Sequence, residues 1–314
     1  MKGSAPSPWC ASSAGTTVAV TRNKCGYARD TVREGGLRKR CAAESIRMPV
    51  RFAGMGRVAS MGVAELILVR HGESTANVQR EEAEVSGGEV IPVQSRDADV
   101  PLSDLGFAQA QAVGRWLAAR PRDEGPTAAW SSPYARALDT ARTALAASGT
   151  DMAPHIDERL RDKELGVLDT LTSAGIAARF PDEAERRRWV GKFYYRAPGG
   201  ESWADLALRI RSVLLDLDRL EDGKRVLVFT HDAMVYLFRY VCEGMTEQEL
   251  LELGRSTTIG NTSITRLVRS GPGWTVAEFN SQAHLLEDGR DLRTDHSAGP
   301  PTLKDAAPAA FSAN

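Results

Sequence analysis

Two apolar runs in this chain each stop at an imidazole. Leu66-Ile67-Leu68-Val69 leads into Arg70-His71-Gly72, and Val226-Leu227-Val228-Phe229-Thr230 leads into His231-Asp232. A short, continuously apolar run bounded by turn residues fits a strand buried on both faces, as in a parallel sheet. In open α/β sheets, ligands bind outside the carboxyl ends of the strands. Two such strands would therefore put both imidazoles in one crevice. The chain has only 5 histidines, so two in equivalent places weigh against coincidence.

Gly72 lets the backbone turn sharply after the first run and lets a ligand come close. A neutral imidazole is a nucleophile, and a guanidinium binds phosphate through a fork of donors. Arg70 and His71 together point to phosphoryl transfer through a phosphohistidine. A triplet alone is a weak signal, so the rest of the chain has to carry the case.

Ala128 to Ala141 reads as a short strand, a Ser-Pro turn and a helix. Ser132 is expected as N-cap with Pro133 at the first helical position. Arg136 then falls in the first turn, near the sheet's carboxyl edge. A cation there opposes the helix dipole. A bound dianion removes that penalty, which favours a phosphate-binding role over a solvated surface arginine.

Elsewhere strands and helices alternate. Ser103 is expected to cap a helix to about Ala119, and His155-Ile156 forms a short strand. An amphipathic helix runs from Glu201 to about Leu220, and Asp232 caps another. Ser263–Val268 and Trp274–Phe279 form an antiparallel hairpin. The segment between the first signature and Asp99 is expected as a long loop. The pattern predicts an α/β fold: a single three-layer αβα domain at residues 63–285 with a mostly parallel sheet. Residues 168–200 interrupt the alternation and are expected as a helical insertion over the active site.

These segments resemble the histidine phosphatase superfamily, also called the phosphoglycerate mutase-like family. The resemblance rests on Leu68 to Asn77, Asp99-Val100-Pro101-Leu102-Ser103 with Gly106, and Ser131 to Ala141. Gly200-Glu201-Ser202, Thr230-His231-Asp232 and Asn261-Thr262-Ser263 complete it, from about Glu65 to about Asn280. It implies that His71 is the nucleophile and that Arg70, Asn77, Arg136 and His231 bind the phosphoryl group. The chemistry agrees. In-line transfer spreads charge over the equatorial oxygens, and fixed donors and cations stabilise it. One charge pair at ~4 Å is worth about 4 kcal/mol at an effective dielectric of 20. Two arginines and a protonated His231 would anchor the group with no metal and no cofactor. Arg70 and Arg136 are expected to depress the His71 pKa and keep its lone pair free. A backbone carbonyl is expected to hold its other nitrogen.

The leaving oxygen needs a proton, which a carboxyl group usually gives. The family has a Glu four residues before a Gly. Counting back from Gly166 gives Asp162, one methylene shorter. A misplacement of about 1 Å can cost 10²-fold. Glu164 lies two residues on and would share a side with Asp162 in an extended chain. Asp162 is the expected acid and Glu164 the alternative.

The expected activity is hydrolysis of a small phosphorylated substrate. A phosphoglycerate mutase is the first alternative and a non-enzymatic phospho-ligand sensor the second. The insertion reads Arg186-Arg187-Arg188-Trp189 and Phe193-Tyr194-Tyr195-Arg196, unlike the Arg-Arg-Ser-Tyr-Asp-like run of the family's mutases. That favours the phosphatase.

Charge is uneven along the chain. Residues 1–62 hold 11 Lys+Arg and 3 Asp+Glu, while the remainder holds 29 and 38. This basic extension is expected to be disordered, a transit peptide, or upstream sequence from a start-site assignment error, the last being favoured. Its three cysteines, Cys10, Cys25 and Cys41, fit no common zinc spacing. Cys242 is the lone core cysteine, so disulfides are not expected. Sparse aromatics argue against a nucleic-acid partner. No run of 18 or more apolar residues occurs, which argues against a membrane span. The expected location is the cytoplasm, or an organelle if the extension is a transit peptide. Residues 286–314 are rich in Pro, Ala, Gly and Asp and are expected as a disordered tail. Oligomeric state is not readable.

Overall fold

β1 (Glu65–Arg70) is buried along its whole length, and its alternating side chains enter two different cores. A computed structural model describes residues 62–121, 123–287 and 289–296. Leu66 and Leu68 join Ile210, Val213 and Leu217 of α6 (Trp203–Leu220) and Met234 and Leu237 of α7 (Asp232–Glu243). Ile67 and Val69 join Val113 and Leu117 of α2 (Asp104–Ala118) and Ala141 and Leu145 of α3 (Ala135–Ala147). A strand apolar on both sides needs helices over both faces of its sheet. This is the expected three-layer αβα arrangement.

The sheet has 6 strands in the order β3-β2-β4-β1-β5-β6. β2 (Ala128–Ser131), β3 (His155–Ile156) and β4 (Arg225–Thr230) run parallel with β1. β5 (Ile264–Ser270) and β6 (Gly273–Ser281) add the expected antiparallel hairpin at one edge. Arg70 pairs with Thr230 in the β1–β4 register. His71 and His231, the next residue on each strand, therefore emerge side by side at the carboxyl edge. The His71 amide donates to Thr230 O at 2.9 Å.

Several local expectations need correction. The segment after the signature is not loop throughout, because α1 (Thr75–Val85) begins it. Ser74 Oγ accepts from the Asn77 amide at 3.2 Å, and Asn77 Oδ1 accepts from the Ser74 amide at 3.1 Å. This is a reciprocal cap with Asn in place of the usual Glu or Gln. Only Asn77 and Ala83 of that helix are buried, so no apolar period announces it. α3 starts at Ala135 with no side-chain cap, and Ser132 Oγ instead accepts from the Tyr134 amide in the preceding turn. His231, not Asp232, is the N-cap of α7. Asp232 is its first residue, where a carboxylate suits the dipole. Between α7 and β5 the chain forms α8 (Glu247–Ser256), whose Thr246/Glu249 capping box the sequence carries openly.

The insertion contains α4 (Ser173–Arg179) and α5 (Pro181–Val190). It has a small core of its own, including Leu168, Leu171, Ile176 and Tyr195. The disordered tail expected from residue 286 does not hold for 286–296. β7 (Leu286–Glu287) and β8 (Arg290–Asp291) pair antiparallel. Gln109 Nε2 donates to Leu292 O at 2.8 Å, and the Asn261 amide donates to Thr294 O at 2.9 Å. The His296 ring sits 2.8 Å from Glu73 and 2.6 Å from Glu81. Polar partners, rather than apolar burial, hold this stretch, and composition cannot reveal them. The basic extension and the rest of the tail lie outside the described residues. Among the described residues no helix is long and apolar enough to cross a membrane.

The signature loop lies directly against the start of α2. A Cβ on Gly106 would fall 2.0 Å from Glu73 O, and one on Gly72 would fall 2.6 Å from Gly106 O. Gly106→Ala should therefore push the two backbones apart and destabilise the fold by about 3 kcal/mol or more. Gly273→Ala is the control, since its Cβ would meet nothing closer than 3.9 Å. Urea unfolding of the pair tests this, and equal midpoints would show that the close approach is unimportant.

Candidate active site

The carboxyl edge of the sheet opens into a cavity of about 310 Å³. His71, Asn77, Arg136 and Asp162 line it together, with Ser74, Asp97 and Asp232. The insertion supplies one wall through Leu168, Arg187, Lys192 and Tyr195.

His71 is fully buried and fixed at both ends of its backbone and ring. Its Nδ1 lies 2.6 Å from Gly72 O. A carbonyl only accepts, so Nδ1 carries the hydrogen and Nε2 keeps its lone pair. Nε2 has no hydrogen-bond partner among the described residues. The His71 carbonyl accepts from Asn261 Nδ2 and from the Thr262 amide, each at 3.2 Å. Thr262 has φ of 51°, which a β-branched residue rarely adopts. Gly72 donates its amide to Thr140 Oγ1 at 2.9 Å. Burial, then the charges of Arg136, Arg70 and His231, hold the His71 pKa well below 6.5. The imidazole is thus neutral at neutral pH, as a nucleophile requires.

The His231 and His71 ring centroids lie 5.2 Å apart. His231 Nε2 is 2.9 Å from Ser132 Oγ, and Nδ1 is 3.3 Å from Asp162 Oδ2 without the alignment of a hydrogen bond. Burial lowers its pKa, and Asp162 only partly opposes this. The protonated His231 expected from sequence is not what this arrangement favours.

Arg136 rises from the first turn of α3, as expected. Its Nη2 donates to Asp162 Oδ2 at 2.9 Å and to Asp97 Oδ2 at 3.3 Å. Its Nη1 donates to Asp97 O at 2.6 Å and lies 3.0 Å from Asp97 Oδ1. The guanidinium therefore bridges two carboxylates. Burial alone would raise the Asp162 carboxyl. His231, Arg136 and the Lys163 amide at 2.8 Å outweigh it and hold Asp162 well below the usual range. Asp97 goes the other way: burial raises it, and the Asp162 charge adds to that against the pull of Arg136.

The loop carrying Asp162 is clamped from α6. Arg209 donates to Arg159 O at 2.6 Å, Arg161 O at 3.0 Å and Asp162 O at 3.2 Å. Glu201 anchors that arginine at 3.0 Å and Arg161 at 2.8 Å. Glu164 is not brought to the cavity. Tyr134 OH donates to its Oε1 at 2.7 Å, and the Tyr134 ring packs against His231 and Arg136. The chain turns only after Glu164, at Leu165 in the right-handed region and at Gly166 with φ of 58°.

Asn77 lines the cavity, and its Oδ1 is engaged by the Ser74 amide and by Asn261 Nδ2 at 3.4 Å. Its amide nitrogen is the group left for a ligand. Arg70 is fully buried behind the lining. Its terminal nitrogens donate to Ile259 O and His296 O, while Nε has no hydrogen-bond partner among the described residues. Sequence reading missed Asp97, Thr140, Asn261 as a backbone anchor, and the tail carbonyl on Arg70. It also missed the basic residues Lys163, Arg187 and Lys192 in the cavity lining. There burial, with Arg187 and Lys192, lowers the Lys163 ammonium to about 8.

A profile of the histidine phosphatase superfamily (branch 1) matches residues 66–282. The chain is 35% identical over 172 residues to a 2,3-bisphosphoglycerate-dependent phosphoglycerate mutase of Gloeobacter violaceus, covering 54% of this chain and 71% of that protein. It is 31% identical over 236 residues to a probable phosphoglycerate mutase of Enterobacter sp. (strain 638), covering 70% and 94%. Among solved structures, a mycobacterial glucosyl-3-phosphoglycerate phosphatase with VO3 is similar at 25% identity and a TM-score of 0.54. That match covers 70% of this chain and 100% of the other. A structure titled mycobacterial hydrolase 1 is similar at 27% identity and a TM-score of 0.56, covering 70% and 99%.

Proposed function

This chain belongs to the histidine phosphatase superfamily (branch 1), and on that premise we propose that it hydrolyses small phosphomonoesters through a phosphohistidine on His71, without a metal ion. One observation carries the reading. Gly72 O fixes the Nδ1–H tautomer, so the unpartnered Nε2 of a cavity-lining, neutral histidine keeps its lone pair beside the Arg136 guanidinium. Nε2 attacks phosphorus, the ester oxygen leaves with a proton, and the group rests on His71 as a phosphoramidate. Arg136 and the Asn77 amide supply donors to its oxygens from the cavity wall, backed by the Arg70 Nε and His231 Nδ1 atoms that make no hydrogen bond among the described residues. Water then attacks phosphorus, a carboxylate takes its proton, and the P–N bond breaks to free phosphate and neutral His71.

A second reading, a phosphoglycerate mutase, is supported by the names of relatives at 31–35% identity. It shares the first step and differs only in what accepts the group from His71. The insertion sequence favours hydrolysis. The test is phosphate release by the full chain from a phosphomonoester panel with chelator present, including 3-phosphoglycerate with assay of its 2-isomer. Chelator-resistant release is expected. Isomerisation without net release would convert the reading to a mutase. Neither product would leave a phospho-ligand binder.

A further inference from the structure

Two carboxylates share one guanidinium at the place where a phosphoryl group has to sit. Asp162 is the firmly held one. It has Arg136 at 2.9 Å, the Lys163 amide at 2.8 Å and His231 at 3.3 Å, and its side chain is 10% exposed. Among the described residues the Asp97 carboxylate has one ion-pair partner, Arg136, at 3.0 and 3.3 Å, and it is 39% exposed in the cavity lining. A phosphomonoester brings up to two more negative charges to this cluster. Like charges at such range do not all stay ionised; one group takes up a proton.

The weaker-held group is the one that yields. As phosphoryl oxygens take the Arg136 N–H groups, Asp97 loses its one ion-pair partner among the described residues. It then faces Asp162 and the phosphoryl charge, with Tyr134 of the turn before α3 and His231 at the head of α7 as the other titratable neighbours. We propose that Asp97 carries the proton that the leaving oxygen receives, and that Asp162 stays ionised to position Arg136 and His231. The assignment rests on the phosphohistidine reading above and names its acid.

The step balances. His71 Nε2 forms a bond to phosphorus as the P–O ester bond breaks, and the Asp97 carboxyl proton moves to that oxygen. The products are an alcohol, a phosphohistidine and the Asp97 carboxylate. In the second half the carboxylate takes a proton from water as its oxygen attacks phosphorus. The P–N bond then breaks and the lone pair returns to Nε2. The raised Asp97 and lowered Asp162 pKa directions agree with this division of labour.

Asp97→Asn and Asp162→Asn, both isosteric, separate the two carboxyls. The readout is kcat/KM, which reports the phosphorylation half alone, for two substrates. p-Nitrophenyl phosphate leaves without needing a proton, whereas glycerol phosphate must be protonated. Asp97→Asn should lower kcat/KM for glycerol phosphate by about 10²–10³ and that for p-nitrophenyl phosphate by less than about 5-fold. Asp162→Asn should lower both by a similar factor. The reverse pattern, selective loss in Asp162→Asn and parallel loss in Asp97→Asn, would overturn the assignment.

A second measurement needs no turnover. Calorimetry of inorganic phosphate binding, in buffers of different ionisation enthalpy and where phosphate is dianionic, counts protons taken up. Wild type should take up close to one more proton than Asp97→Asn. An equal count in both proteins also overturns it. Failure of the underlying reading looks different, because His71→Ala would then keep p-nitrophenyl phosphate release.

Discussion

His71→Ala should turn over its best phosphomonoester at least about 10⁴-fold more slowly than wild type and form no phosphoprotein in rapid-quench labelling. The nucleophile is the one group whose removal no neighbour can compensate. His231 has Nε2 engaged with Ser132 and Nδ1 against Asp162, so it offers no free lone pair in the right place. The wild-type phosphoprotein should be stable in base and labile in acid, as a phosphoramidate is. The sign of the pH dependence follows from the lowered pKa. Attack needs the neutral ring, and a pKa well below 6.5 keeps it neutral, so the acid limb due to His71 lies well below pH 6.5. The same shift acts on stability. Below about pH 6.5 the unfolded chain takes up a proton that the folded site refuses, so stability is lost as pH falls through that range. His71→Ala removes this share of acid sensitivity. An acid limb near pH 6.5 in kcat/KM, or labelled protein in the variant, would refute the assignment.

What the sequence reveals here depends on whether a residue's position follows from a short periodic pattern. His71 and His231 were legible because continuous apolar runs predict buried parallel strands, and the register then leaves one imidazole at each strand end. Arg136 was legible because a strand–turn–helix unit places its first turn at the sheet edge. Asp97 was not, since it sits on a short 3₁₀ turn (Asp97–Asp99) inside a polar segment with no period. Glu164, the alternative acid, accepts from Tyr134 OH and does not line the cavity, a partner 30 residues away that strand alternation cannot reveal. For Arg70 the phosphate role was read, but the engagement of its terminal nitrogens with Ile259 O and His296 O was not, because it depends on a tail whose composition resembles disorder. In each missed case the decisive partner is a distant backbone group or a polar side chain, and neither leaves a local trace.

Arg136→Gln should be the most destabilising change at the site, by about 3–5 kcal/mol at neutral pH, and should lower kcat/KM by at least about 10²–10³-fold. Its guanidinium is nearly buried, at 5% side-chain exposure, and so is Asp162 at 10%. Taking out the cation leaves Asp162 charged in a low-dielectric site with Asp97 close by, and each pushes the other's pKa up. In wild type the lowered Asp162 pKa contributes stability above its unfolded value, and that contribution is lost as pH falls through the folded one. In Arg136→Gln the folded pKa rises instead, so the penalty is full above it and is relieved as pH falls. The stability gap between the two proteins should therefore be widest at neutral pH and shrink towards about pH 4. Adding Asp162→Asn to Arg136→Gln should recover most of the stability and none of the activity. Stability then comes back because a buried charge is gone, while the phosphoryl group still lacks its cation. Urea unfolding at both pH values, with kcat/KM on the double variant, separates the two roles of Arg136. A gap that does not change with pH would mean that the carboxylate bridge contributes nothing to the fold.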